Sequence, residues 1–68
     1  MKALLITNRA NGSESILLEP DRLYMCDLIL TAEELKIPLA ELVVRLMAGE
    51  SITTAEFVRR MVQVRTSI

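Results

Sequence analysis

The sequence predicts an α+β fold in which an N-terminal β-hairpin, of two or three strands, precedes two or three short helices. Two patterns predict this class. Asn11-Gly12 separates two short apolar runs, at 3–6 and 15–18, and an Asn-Gly pair in that position is the strongest local hairpin signal because both residues tolerate positive φ. The second half of the chain instead carries apolar residues at helical spacing. At 68 residues the chain is expected to form one domain, 1–68.

The segment after the hairpin is compatible with two structures. Residues 19–22, Glu-Pro-Asp-Arg, predict a turn, because the proline ring fixes φ at the second position. In residues 23–30 the alternation of apolar side chains favours a third strand, while the helical spacing of Leu23, Cys26 and Leu30 is typical of a helix. We expect a third strand here and keep the helix as the alternative.

Two short helices are predicted around a proline. Residues 31–34, Thr-Ala-Glu-Glu, form a capping box that predicts a helix start. Pro38 is expected to end or kink this helix at Ile37, because proline lacks a backbone donor and restricts the residue before it. The next helix, Pro38 to Ala48, has a continuous apolar stripe, and Gly49 is suited to a left-handed C-terminal cap. The stripe consists of Leu39, Leu42, Val43, Leu46 and Met47.

A last helix is predicted after a second capping box. Residues 53–56, Thr-Thr-Ala-Glu, repeat the start signal, and the helix is expected to run to about Arg65. Its apolar face carries Phe57, Val58, Met61, Val62 and Arg65. Its other face carries Glu56, Arg59, Arg60 and Gln63.

The apolar content predicts a homodimer. Apolar residues make up 51% of the chain, and a domain of this size buries only about 60% of the surface that its unfolded chain exposes. Small domains usually need additional stabilisation from disulfides, a metal or a second subunit. The lone Cys26 cannot form an internal disulfide, and without His it cannot complete a tetrahedral zinc site. A second subunit is therefore the expected source of this stabilisation. The predicted core of the dimer consists of Leu42, Val43, Leu46, Phe57 and Met61.

The composition excludes most catalytic chemistry. Without His there is no Ser-His-Asp triad, no Cys-His dyad and no His general base, and so short a chain makes a poor water-excluding pocket. We therefore expect no enzyme, no cofactor and no metal. No stretch approaches the roughly 20 apolar residues of a membrane helix, and a lone cysteine without an export signal is typical of the cytoplasm.

Partner recognition is predicted at the last helix and at one aromatic residue. Arg59, Arg60 and Gln63 lie opposite the apolar stripe of their predicted helix, and arginine makes bidentate contacts with acidic groups. Tyr24 is the single tyrosine in a chain without Trp, and binding hot spots are enriched in Tyr, Trp and Arg. Two structural alternatives stay open: the arginines would only complement the helix dipole, and Tyr24 would belong to the core. Val44, off its helix's stripe, is a further candidate contact.

A helix-turn-helix is the first nucleic-acid alternative. Helix 38–48, Gly49 and the helix over 54–65 are arranged in the order of that motif, whose second helix enters the major groove. Arg45, however, falls where a small residue normally permits close helix packing. The net charge of −1 also gives little attraction to phosphate groups.

The second alternative rests on a resemblance. Residues 5–12, Leu-Ile-Thr-Asn-Arg-Ala-Asn-Gly, look like the N-terminal strand of the carbon-storage-regulator family, and residues 44–46 with the closing helix are similar to its later parts. The resemblance implies a small dimeric RNA-binding protein. The middle departs from it, since residues 30–48 are predicted to be helical where the family has strands. The family's RNA-contacting arginine also has no counterpart in residues 51–55.

In size and style, without a shared motif, the chain also resembles the small early proteins of temperate phages and mobile elements. Those proteins dimerise and disable a host regulator, defence complex or motor. The resemblance implies a non-enzymatic inhibitor or adaptor that binds a host protein, such as a transcription activator or a defence complex. We take this as the expected function and a nucleic-acid-binding regulator as its alternative.

Overall fold

The computed structural model describes residues 1–65 and has two layers, a four-stranded antiparallel sheet and two helices packed on one of its faces. The elements are β1 (Lys2–Asn8), β2 (Glu14–Leu18), α1 (Arg22–Leu35), α2 (Leu39–Met47), β3 (Ile52–Thr53) and β4 (Phe57–Gln63). The strand order is β2-β1-β4-β3, so the first and last strands form the centre of the sheet. The α+β class is confirmed, but strands both precede and follow the helices along the chain.

The N-terminal hairpin is confirmed with the expected tip. The Asn8 N–H donates to the Ser13 carbonyl oxygen, and the Gly12 N–H donates to the Asn8 carbonyl oxygen, both at 2.8 Å. Gly12 has a φ of 72°, which a glycine adopts without steric cost. The turn therefore fixes the register in which β2 pairs antiparallel with β1.

Residues 23–30 form the first part of α1, so the expected third strand is wrong and the helical alternative is correct. Asp21 is the N-cap residue, and its carboxylate accepts the Leu23 N–H at 2.8 Å. Aspartate is among the strongest N-cap residues because it satisfies an N–H that has no partner within the helix. The turn residues 19–22 thus also start the helix.

A single helix continues through Thr31, where a new start was expected. Thr31 is buried, and its hydroxyl donates to the Asp27 carbonyl oxygen at 2.7 Å, which satisfies the hydroxyl within the same helix. The predicted end is confirmed. Lys36 has a left-handed conformation with a φ of 57° and closes the helix two residues before Pro38.

The helix predicted from Pro38 to Ala48 is confirmed as α2. Gly49 follows its C-cap with a φ of 90°. The Gly49 N–H donates to the Leu46 carbonyl oxygen at 3.0 Å, and the Glu50 N–H donates to the Arg45 carbonyl oxygen at 3.1 Å. This pair of bonds is a Schellman motif, which needs the left-handed residue that glycine supplies. Neither described helix is long and apolar enough to cross a membrane.

The last predicted helix is wrong, because residues 52–63 form a β-hairpin. Thr54 Oγ1 accepts the Phe57 N–H at 3.2 Å, which is the bond that a capping threonine makes. The Thr54 N–H, however, donates to the Phe57 carbonyl oxygen at 2.8 Å and closes a turn between β3 and β4. The same local bond therefore starts a strand here. The second helix that a helix-turn-helix requires is therefore not formed by these residues.

The core lies between the helices and the adjacent face of the sheet. Its buried apolar residues are Leu4, Tyr24, Leu28, Ala32, Leu42, Leu46, Ile52 and Met61. Of the predicted dimer core, Leu42, Leu46 and Met61 are buried within this one chain, and Val43 packs against them. Phe57 is half-buried and lies outside this cluster. These core residues are therefore already covered within a single chain.

Candidate protein-binding surfaces

Arg59 is buried between the sheet and α1, where it forms an ion pair. Its Nε lies 2.6 Å from Asp27 Oδ2, and its Nη1 donates to Thr54 Oγ1 at 3.0 Å. The guanidinium carbon lies 5.0 Å from the centre of the Phe57 ring, within the range of a cation–π contact. These contacts join α1 to β4, so the structure places Arg59 inside the fold.

Arg60 lies on the opposite face of β4, which corrects the expected exposed Arg59/Arg60 edge. Adjacent residues of a helix share one flank, but successive side chains of a strand point to opposite faces. Arg60 is exposed and Arg59 is not. Gln63 is exposed at the end of β4, on the face that Arg59 occupies.

Tyr24 is a core residue, which is the alternative that the sequence left open. It is buried, and its hydroxyl donates to Met61 Sδ at 3.1 Å. Burial raises the pKa of the Tyr24 phenol above its ordinary value, and the charge of Glu19 raises it further. The predicted contact residues thus share no surface, and partner binding by Arg60 and Gln63 stays a prediction.

The two helices expose a set of large apolar side chains, which we call the helical face. It consists of Leu23, Met25, Ile29, Leu30, Val44 and Met47, all exposed. Leu23, Leu30 and Val44 are 64%, 63% and 66% exposed. At 100° per residue, Leu23 and Leu30 lie about 100° to 160° around α1 from the buried Tyr24 and Leu28. The spacing of Leu23, Cys26 and Leu30 was the sequence signal, and it belongs to the solvent side of the helix.

The side of the sheet away from the helices, which we call the sheet face, is also largely apolar. The pairing registers arrange it in three rows across β2, β1 and β4. The first row is Leu18, Ala3 and Val62, the middle row is Ile16, Leu5 and Arg60, and the third row is Glu14, Thr7 and Val58. Ile16 and Leu18 are 50% and 44% exposed, and no described element covers them.

The two layers carry opposite net charges. Residues 19–50, which contain both helices, have seven acidic and three basic residues, a net charge of −4. The remaining segments, which contain all four strands, have two acidic and five basic residues, a net charge of +3. The ion pairs within residues 1–65 are Arg59–Asp27, between the layers, and Arg45–Glu50, within the helical segment. The net charge of −1 is therefore the sum of two larger charges of opposite sign on different parts of the molecule.

A shallow polar depression of about 480 Å³ lies between the two hairpin loops. Its lining consists of Asn8, Arg9, Ala10, Ala55 and Glu56. Arg9 Nη1 donates to the Thr54 carbonyl oxygen at 3.0 Å, so this guanidinium joins the two loops. Within residues 1–65, no group of three or more metal-ligating side chains occurs. The depression has no nucleophile paired with a base, and we assign it no chemistry.

No protein-family model, curated protein or solved structure matches this chain. The helical face, the sheet face and the separation of charge between the layers are the features from which a function can be inferred.

Proposed function

We propose that this chain is a non-enzymatic regulatory protein of the cytoplasm that binds and disables another protein through the helical face. The observation that carries the proposal is the exposure of six large apolar side chains on two neighbouring helices. Large apolar side chains clustered at a protein surface often mark interaction sites. An inhibitor or adaptor, the class expected from composition, acts through a surface of this type.

The partner segment that fits the helical face is a basic amphipathic helix. Glu33 and Glu34 are exposed one turn after Leu30, and Glu41 is exposed one turn before Val44. None of these three carboxylates has an ion-pair partner within residues 1–65. An apolar surface bordered by free carboxylates complements a helix that has apolar residues on one side and Lys or Arg on its flanks.

Capture of such a helix would suffice to disable a regulator. Basic helices read nucleic acids in many regulatory proteins, where Lys and Arg contact phosphate groups. A small protein with an acidic border, bound to that helix, would occupy the surface that the nucleic acid needs. A transcription activator or a defence complex would then be inhibited without any chemical step. This is the mode of action that the type-level resemblance to small early phage proteins implies.

A homodimer is part of the proposal, with its interface away from the helical face. The helical segment carries a net charge of −4, so two copies that met through it would repel each other. The helical face therefore suits a basic partner better than a second copy. We therefore propose that the two copies of the dimer contact each other through the sheet face.

The test uses two fluorescent synthetic helices that share the same leucines and differ only in their flanking residues, Lys in one and Glu in the other. We expect fluorescence anisotropy to show at least about tenfold tighter binding of the Lys helix, with weaker binding as salt is added. The variant Leu23→Ser/Leu30→Ser should lose this binding and keep its helical circular dichroism. The matched variant Ile16→Ser/Leu18→Ser, on the sheet face, should keep it.

Equal affinity for the two synthetic helices, or unchanged affinity in the Leu23→Ser/Leu30→Ser variant, would contradict the proposal. Nucleic acids are tested in the same format, with random duplex DNA and with GGA-bearing RNA hairpins. Nanomolar binding of either at physiological salt would favour the nucleic-acid alternative. Purification of the tagged chain from its host, followed by mass spectrometry, then identifies the natural partner.

A further inference from the structure

The sheet face has a composition that is unusual for a surface open to water. An antiparallel sheet with one solvated face normally alternates apolar residues inside with polar residues outside. Here both faces of β1 are apolar, with Leu4 on the helix side and Ala3 and Leu5 on the other. Ala3 is completely buried, and Leu18 and Val62 flank it in the same row. The face is thus built like the inner side of a second layer.

We infer that the sheet face is covered by the sheet face of a second copy, in a two-fold homodimer that pairs Arg60 of each copy with Glu14 of the other. These two residues are the charged groups on the face, and they lie on β4 and β2, the two strands that flank β1. Neither has an ion-pair partner within residues 1–65. The other residues of the three rows are Leu18, Ala3, Val62, Ile16, Leu5, Thr7 and Val58.

The positions of Arg60 and Glu14 select one of two symmetric arrangements. When the two-fold axis runs along the strands, β2 of one copy lies over β4 of the other and the rows coincide. Leu18 then meets Val62, Leu5 meets its own copy, and the apolar stem of Arg60 crosses Ile16. Glu14 lies one row further along the same strand, about 7 Å away along the chain and within reach of the guanidinium.

The other arrangement is electrostatically unfavourable. When the axis runs across the strands, each strand lies over its own copy with the rows reversed. The middle row then places Arg60 over Arg60, and the third row places Glu14 over Leu18. Two like charges would meet in the centre while both carboxylates faced apolar groups, which costs free energy at a contact that excludes water.

The size of the face sets the affinity to be expected. With three strands about 4.8 Å apart and five residues at a rise of about 3.4 Å each, the face measures roughly 14 Å by 17 Å, and two copies would bury on the order of 500 Å². That value lies below the roughly 1,200–2,000 Å² of standard specific interfaces, so the dimer should be weak. We therefore expect a dissociation constant in the micromolar range, and the measurement must extend to about 100 μM.

The test is a charge-reversal cycle followed by sedimentation equilibrium. Arg60→Glu and Glu14→Arg should each weaken the dimer at least about tenfold, because each places two like charges at both symmetric contacts. The double variant Arg60→Glu/Glu14→Arg, which keeps the net charge of the original chain, should restore dimerisation. Arg22→Glu makes the same charge change on the helical side, where the sheet-face dimer leaves it exposed, and should have no effect.

A monomer at 100 μM in the original chain would overturn the inference. So would a dimer that all four variants preserve, since it would use another surface, or a double variant that fails to recover, since it would exclude the Arg60–Glu14 pairing. Circular dichroism checks that every variant is folded. The helical-face variant Leu23→Ser/Leu30→Ser should remain dimeric, so this result is independent of the proposed partner.

Discussion

Arg59 Nε lies 2.6 Å from Asp27 Oδ2, and this ion pair joins β4 to α1 across 32 positions of the chain. The two side chains are 7% and 17% exposed. Removing such charges from water consumes much of the Coulomb attraction between them, so the intact pair contributes little net stability. Removing only one partner should lower stability strongly, because the other would be a buried charge without a counterion.

We expect Arg59→Ala to lower the free energy of unfolding by about 3–5 kcal/mol, because it leaves the Asp27 carboxylate uncompensated. A domain of this length has a total stability of roughly 3–10 kcal/mol, so this variant should be largely unfolded or close to it at 25 °C. Urea denaturation followed by circular dichroism measures the change.

The control for this variant replaces both partners. Asp27→Leu/Arg59→Met replaces both charged side chains with apolar ones, so it should recover most of the loss. A double variant that is as unstable as Arg59→Ala would show that the pair itself, together with the contacts of Arg59 to Thr54 and Phe57, stabilises the fold.

The pKa of Tyr24 can be measured directly, because it is the single tyrosine of the chain. Burial and Glu19 raise this pKa above 10.0, so ultraviolet titration of the folded protein should show a midpoint above that of the protein in urea. The folded state then holds the phenolic proton more tightly than the unfolded state does. The corresponding stability is complete below pH 10 and is lost as the pH rises towards the folded pKa.

Tyr24→Phe isolates the contribution of the phenol. The variant should show a weaker loss of stability above pH 10 than the original chain, since it has no phenol to ionise. Equal titration midpoints in the folded and urea-unfolded protein would show that Tyr24 is open to solvent.

The two sides of α2 should differ sharply in their tolerance of charge. Leu46 is 1% exposed and Val44 is 66% exposed, two positions apart on the same helix. Leu46→Asp should unfold the chain, because a carboxylate without a partner would enter the core. Val44→Asp should change the free energy of unfolding by no more than about 0.5 kcal/mol. Thermal melts of the two variants, side by side, measure the difference.

Gly49 should be sensitive to any side chain for a reason of backbone conformation alone. Its φ is 90°, and a Cβ at this position would meet no atom within 4 Å. Gly49→Ala should therefore cost about 1–2 kcal/mol through conformational strain, with no steric clash to relieve. Ala48→Gly, at a right-handed position next to it, should cost less. A neutral Gly49→Ala would mean that the Schellman bonds are not needed to end α2.

The parts of the fold that local chemistry decides were predicted from the sequence. The Asn11-Gly12 turn, the apolar stripe of α2 and its glycine cap depend on neighbouring residues only. The turn and the cap are confirmed, and so is the stripe except for Met47, which is 49% exposed. The nature of β4 depends on a distant partner. Thr54 makes the same bond to the Phe57 N–H in a helix cap and in this turn, so local pattern could not decide between them.

The side of α1 that faces the sheet could likewise not be predicted from the residue spacing of the helix alone. Leu23, Cys26 and Leu30 have helical spacing, but so do the buried Tyr24 and Leu28, and spacing does not say which set faces a sheet. The prediction that Arg59 and Arg60 lie on one exposed flank was wrong, because it assumed a helix where the chain forms β4. On a strand, Arg59 turns inward to Asp27 and Arg60 turns outward.

The position of β1 has a consequence for the order in which the chain can fold. Its pairing with β2 closes a loop as short as Thr7 to Glu14, whereas its pairing with β4 joins residues as far apart as Lys2 and Gln63. The longer closure costs about 2 kcal/mol more in chain entropy, so the hairpin should form first. During synthesis, the second edge of β1 stays without a neighbour until residues 57–63 have emerged. A nascent chain stalled before that point would offer this edge to β4 of another molecule, and strand exchange between copies would be the characteristic failure of this fold.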